Sequence, residues 1–189
     1  MGQPAEPRSI WTVGHWTCPQ DKVLANLAGP GIEALVDVRA QPGSRRSPQF
    51  GQDELRRWLG EADIDYLHVP ELAGRRRKQN ADPAINAAWQ NQSFHNYADH
   101  TLTPEFAAGL ARLEELAARQ RTVVMCGEPM PWRCHRLLIA NALAARGWQV
   151  SHLMTDQPPR PHVLGQWGAT PAVDDNGLVT YPIGGVPSE

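Results

Sequence analysis

The sequence predicts a single doubly wound α/β domain, with a mainly parallel sheet of about five strands and a small C-terminal hairpin extension. Three observations predict it. The runs ALVDV at 34–38 and RTVVMC at 121–126 are nearly continuous apolar stretches, as strands buried on both faces would be. Segments with helical spacing separate them, so strand and helix patterns alternate. The chain has 189 residues, near the usual size of one domain, enough to bury a core without disulfides or metal. The expected organisation is one domain over 1–189, with 1–7 frayed and 154–189 an extended tail and hairpin packed on the domain.

The elements follow in order. Ser9 to Val13 reads as a first strand, ended by Gly14-His15. Thr17-x-x-Gln20 has the form of a capping box for a helix through Leu27, which Gly29-Pro30-Gly31 stops. Ala34 to Val38 is the second strand, so the first 40 residues form a βαβ unit with a right-handed crossover. A loop rich in Pro, Gly, Ser and Arg runs from Arg39 to Phe50, before a helix from Asp53 to Leu59 and a strand from Tyr66 to Val69. Glu71 to Asn91 is polar, basic and irregular, and Phe94 to Leu102 is helical. Thr103-Pro104 pairs an N-cap with proline at the first helical position, and Phe106, Leu110, Leu113 and Ala117 continue that helix to Arg119. Arg121 to Cys126 is a strand; a loop from Gly127 to Trp132 leads into a helix to Arg146, stopped by Gly147. Trp148 to Leu153 is the fifth strand, and Asp175-Asn176-Gly177 signals a hairpin turn.

Composition excludes several classes. The formal net charge is -2, which argues against a protein that coats nucleic acid by bulk charge. No apolar run approaches the roughly 18 residues of a membrane span, and the start lacks the pattern of a signal peptide. Three cysteines, an odd and low count, fit free thiols in a reducing cytoplasm. Seven tryptophans are explained by core packing or by the walls of a ligand pocket.

The densest group of reactive side chains is Cys126 to Arg136. Cys126 ends a strand; Gly127-Glu128-Pro129-Met130-Pro131-Trp132 follows, then Arg133-Cys134-His135-Arg136 at a helix start. A cysteine near a helix N-terminus and arginines has a lowered pKa, and the thiolate is its reactive form. In this reading Cys126 is the nucleophile and Cys134 a second or resolving thiol. Glu128 or His135 moves protons, and Arg133 and Arg136 hold an anion. The layout resembles rhodanese-type sulfurtransferases and cysteine phosphatases, which use the loop as an anion cradle. Here Pro129 and Pro131 remove two backbone donors, Glu128 adds a negative charge, and six residues separate Cys126 from Arg133 where the phosphatase signature has five. The alternative is a zinc or iron site from Cys126, Cys134 and His15, with no cofactor required under the leading reading.

Two basic loops are further candidates. In RAQPGSRRSPQF at 39–50, Arg39, Ser44 and Arg45 can hold a phosphate or carboxylate at the sheet edge, or Asp37 can pair with one arginine. His15 falls at the same edge and joins the substrate-binding set, because ligands bind outside the carboxyl ends of parallel strands. The run Arg75, Arg76, Arg77 and Lys78, with Trp89, Phe94 and Tyr97 downstream, is either a solvated surface or a nucleic-acid contact.

The chain resembles the DUF488 family of bacterial and archaeal proteins. The matching segments are TVGHWT (12–17), ALVDVRAQPGSRRSPQF (34–50), IDYLHVPELAGRRRK (64–78), SFHNYADH (93–100), VVMCGEPMPWRCHRLLIANALAARGWQVSHL (123–153) and GLVTYP (177–182). Trp16 stands where the family usually carries Ser, and Ala73 where Gly is common. The resemblance implies an α/β fold and an enzyme centred on Cys126, Glu128, Cys134, His135 and Arg136. The leading expectation is therefore a cysteine-dependent enzyme, by group or sulfur transfer, acting on a small anionic or nucleotide-like substrate.

Overall fold

The computed structural model describes residues 6–43 and 45–184. Residues 1–5, at the expected frayed start, lie outside the described residues, as do Ser44 and the last five of the expected tail, 185–189. The elements are β1 (Ser9–Gly14), α1 (Gln20–Ala28), β2 (Ala34–Asp37), α2 (Gln52–Glu61), β3 (Asp65–His68), α3 (Gln92–His100) and α4 (Pro104–Ala117), then β4 (Thr122–Cys126), α5 (Arg136–Ala145), β5 (Gln149–Leu153) and a short β6 (Arg160–Pro161). A two-stranded hairpin, β7 (Ala172–Val173) and β8 (Val179–Thr180), completes them. Its turn places Gly177 at φ 78°, the conformation for which the Asn-Gly pair is suited.

The main sheet has the order β3-β2-β4-β1-β5-β6. All neighbours run parallel except β6, which is antiparallel to β5. This is the α/β architecture expected, with β6 as an added edge strand. Val23 and Leu27 of α1 and Leu55, Trp58 and Leu59 of α2 pack with Val13, Leu35, Val123 and Met125. Tyr97, Phe106, Leu110, Leu113 and the apolar side chains of α5 pack on the opposite face with Ile10, Val36, Val124 and Val150. Crossovers moving toward β3 use one face and those moving toward β5 use the other, as a single handedness requires.

Helix starts show where local signals hold. Thr103 accepts a hydrogen bond from the Phe106 amide, and Pro104 occupies the first turn of α4, as expected. The capping box at Thr17 does not form. Pro19 is the N-cap of α1 and no side chain caps the helix. The turn 15–18 takes up Thr17 instead, with the Cys18 amide bonded to the His15 carbonyl. α5 begins at Arg136, after a 3-10 turn over Pro131–Arg133.

β1 and β4 are adjacent, yet their connections leave in opposite directions, β1 toward β2 and β4 toward β5. That is a topological switch point, where a crevice opens beyond the strand ends. No helix among the described residues is long and apolar enough to cross a membrane.

Candidate thiol site at the switch point

Gly14 and Cys126 are register partners at the ends of β1 and β4. The pairing continues past the strands: the His15 amide donates to the Cys126 carbonyl and the Trp16 amide to the Gly127 carbonyl. The loop after Cys126 folds back over β1, and a Cβ at Gly14 would collide with the Glu128 carbonyl. Glycine is needed there because of this close backbone approach.

The fold-back returns Cys134 to Cys126. Both are free thiols, 2% and 7% exposed, with sulfurs 2.7 Å apart. Burial pushes the Cys126 thiol up. The hydrogen bond with Cys134, the charge of Arg136 and the Glu128 backbone outweigh it and bring the pKa down to about 7. Cys134 moves well above its ordinary value, first by burial and then by its bond to Cys126. Of the two thiols Cys126 is therefore the one that ionises first. The first amide of α5, that of Arg136, points at the Cys134 sulfur at 3.5 Å, so the helix start faces Cys134 rather than Cys126.

Arg136 is 1% exposed. Its Nη2 donates to the Pro129 carbonyl at 3.3 Å, while Nε and Nη1 have no hydrogen-bond partner among the described residues. A buried guanidinium with unused donors favours a neighbouring anion, and its charge is one of the causes that lower the Cys126 pKa.

His135 stands beside the pair. Its Nε2 donates to the Val38 carbonyl at 3.1 Å, leaving the Nδ1 lone pair facing the Cys134 sulfur at 3.5 Å. Burial lowers its pKa to about 4, so the imidazole is neutral at pH 7. Gly74 lies against it; a Cβ there would sit 2.6 Å from Nδ1.

On the β1 side, His15 Nδ1 donates to the Trp16 carbonyl at 2.7 Å and Nε2 accepts from Arg39 Nη1 at 3.3 Å. Burial takes its pKa to about 4, and its ring stacks on Phe50. Arg39 is held by Asp37, with Nε at 2.9 Å and Nη2 at 2.7 Å from the two carboxylate oxygens. Tyr66 also donates to Asp37, at 2.6 Å. Arg39 thus lines the crevice with its charge already balanced.

These groups surround a cleft of about 490 Å³. His15, Arg39, Cys126, Glu128, Arg133, Cys134 and His135 line it, bringing together seven of the residues singled out in the sequence. Arg136 is not among the lining residues; it supports the thiols from behind. Arg45 is exposed and outside the lining set, and Ser44 lies outside the described residues. The Glu128 carboxylate accepts from the Met130 amide within its own loop.

The basic run 75–78 divides. Arg76 donates to the Ala73 and Pro70 carbonyls and pairs with Glu105. Arg75 lines the cleft, and Arg77 and Lys78 are exposed. Among the described residues no three His, Cys, Asp or Glu side chains come together as a metal-binding group. His15 has both ring nitrogens engaged and does not complete a set with the two thiols.

Sequence reasoning missed Gly74, Ser93, Phe94 and Tyr97 as cleft residues. It also missed a buried chain on the far side of β1. Thr12 donates to His152 Nδ1 (2.6 Å), His152 Nε2 to His162 Nδ1 (3.0 Å), and His162 Nε2 to Asn141 Oδ1 (2.8 Å). Asn141 Nδ2 donates in turn to the Tyr181 hydroxyl (2.9 Å). The signal available was a histidine in β5 opposite a threonine in β1, an in-register polar pair within a buried sheet.

Fold and site together define an α/β protein with a paired-thiol cleft at the switch point of a parallel sheet. A family model described as Domain of unknown function DUF488 matches residues 20–143, most of the chain, and the protein belongs to that family. The matched span includes the whole segment from Cys126 to Arg136 and begins after His15 and Trp16. No curated protein and no solved structure matches the chain.

Proposed function

We propose that the protein is a cysteine-dependent enzyme that acts on a small anionic or nucleotide-like substrate by group or sulfur transfer. The observation behind this reading is the thiol pair, 2.7 Å apart on the cleft wall with Arg136 buried behind it. Cys126, with its pKa near 7, is the nucleophile. Cys134 keeps its proton beside the attacking sulfur and supplies the second thiol. His135, neutral and with Nδ1 toward Cys134, takes or returns that proton. Arg75 and Arg133 stand on the cleft wall, where a substrate anion meets guanidinium donors.

The test is the pH dependence of iodoacetamide alkylation, with the modified cysteine located by mass spectrometry. Cys126 is expected to alkylate with a midpoint near pH 7. Cys134→Ser is expected to shift that midpoint, since the Cys134 hydrogen bond contributes to it. A Cys126 that titrates like an ordinary cysteine, near pH 8.5, ends the proposal. One equivalent of zinc or iron, lost in the Cys126→Ser, Cys134→Ser variant while it stays folded, would replace the free nucleophile by a metal site.

A further inference from the structure

The cleft holds aromatic surface that bare anion chemistry does not use. Trp16 is 51% exposed, the one aromatic among the exposed large hydrophobic side chains of the described residues. Among those residues no other ring and no arginine packs on its indole. Yet its backbone is firmly held: its amide donates to the Gly127 carbonyl, and its carbonyl accepts from His15 Nδ1 and Ser47 Oγ. Trp16 sits at φ 44°, in the left-handed region that a bulky side chain avoids.

Four described residues other than glycine have positive φ: Trp16, Asp63, Arg75 and Asp156. Aspartate tolerates this conformation. The two that do not, Trp16 and Arg75, both line the same cleft. Strain retained in this way collects where a side chain must be presented to a ligand. Phe94 also lines the cleft and is backed by Trp89, stacked at 4.7 Å and 13°. A volume of about 490 Å³ is also far more than an inorganic anion fills.

We propose that Trp16 is a specificity-determining stacking plate, and that the preferred ligand joins a flat heterocycle to an anionic group, as a nucleotide does. The heterocycle lies on the Trp16 indole, and the anion reaches Arg75 and Arg133. This rests on the reading of the cleft as an anion-accepting substrate site, and it selects the nucleotide-like class over small anions.

Calorimetry with the four ribonucleoside 5′-monophosphates, ribose 5-phosphate and inorganic phosphate tests it. At least one nucleotide is expected to bind about tenfold or more tightly than ribose 5-phosphate. Trp16→Ala should abolish that advantage while leaving phosphate affinity within about twofold, and Trp16→Phe should keep most of it. Equal binding of nucleotide and ribose 5-phosphate by the wild type overturns the plate alone, as does a variant that weakens phosphate as much as nucleotide. If none of the probes binds, the anion-accepting cleft falls with it. The alkylation profile of Cys126 is independent of both outcomes.

Discussion

Two buried polar clusters flank β1, and they are built on opposite rules. On the β5 side, the chain from Thr12 through His152, His162 and Asn141 to Tyr181 has a consistent direction, every donor meeting an acceptor. On the β4 side, Arg136 Nε and Nη1 have no hydrogen-bond partner among the described residues, and two thiols lie 2.7 Å apart. A closed network costs little to bury and leaves nothing for chemistry. The open one leaves donors of a buried cation unused beside two thiols. The difference separates polar burial that is satisfied within the fold from polar burial that is not.

Acid should break both clusters, and by the largest amount. His15, His135 and His162 have pKa values lowered to about 4 and His152 to about 3, each chiefly by burial. Their folded values lie below the unfolded value near 6.5, so the unfolded chain binds protons first. Stability is then complete above about pH 6.5 and falls as pH drops toward 4, by on the order of 5 kcal/mol between pH 6.5 and 5. Thermal melts across this range should show a steep decline in Tm; a flat profile would mean that these imidazoles are not buried neutral.

The next effect separates the clusters. His152→Ala removes the centre of the closed chain, orphans Thr12 and His162, and should cost about 3 kcal/mol in urea denaturation. The Cys126 alkylation midpoint should stay in place. A variant of unchanged stability but altered thiol titration would reverse the roles assigned to the two sides.

Arg136→Met should do the converse. Without the buried cation, the Cys126 midpoint is expected to rise by about one pH unit, whereas Arg136→Lys should hold it closer to the wild type. Stability should change little, because apolar replacement of a buried charge is often neutral. A midpoint that stays put in the Met variant would remove Arg136 as the counter-charge. The smallest effect is at Trp16. Trp16→Gly relieves the positive φ and should stabilise the fold by about 0.5 kcal/mol in the same urea assay. Destabilisation would show that the indole packs on the protein instead of waiting for a ligand.

The regular elements were largely legible. ALVDV and RTVVMC announce central strands because both faces of this sheet are covered, and Thr103-Pro104 announces a helix start by local chemistry. Cys126, Cys134 and His135 were readable as one group because eight to nine positions of chain close the loop that joins them. Thr17 misled because a capping pattern is local, while the turn at 15–18 is set by pairing to residue 127, over a hundred positions away. Arg75 reaches the cleft from an irregular stretch without periodicity, and Phe94 from the first turn of α3, where helical spacing alone does not show which residues face a site. The burial of Arg136 was hidden for a related reason: α5 is enclosed on nearly every side, and an arginine in its first turn reads as surface.

The place of β1 also bears on the order in which this protein comes into being. β1 is the first strand of this sheet to be synthesised, yet both of its neighbours, β4 and β5, come after residue 121. At typical rates of translation it waits on the order of ten seconds for a partner. The thiol cleft straddles that late seam, so a nascent chain lacking β4 does not yet hold it. The cleft is complete only when the first strand of the sheet has met the fourth.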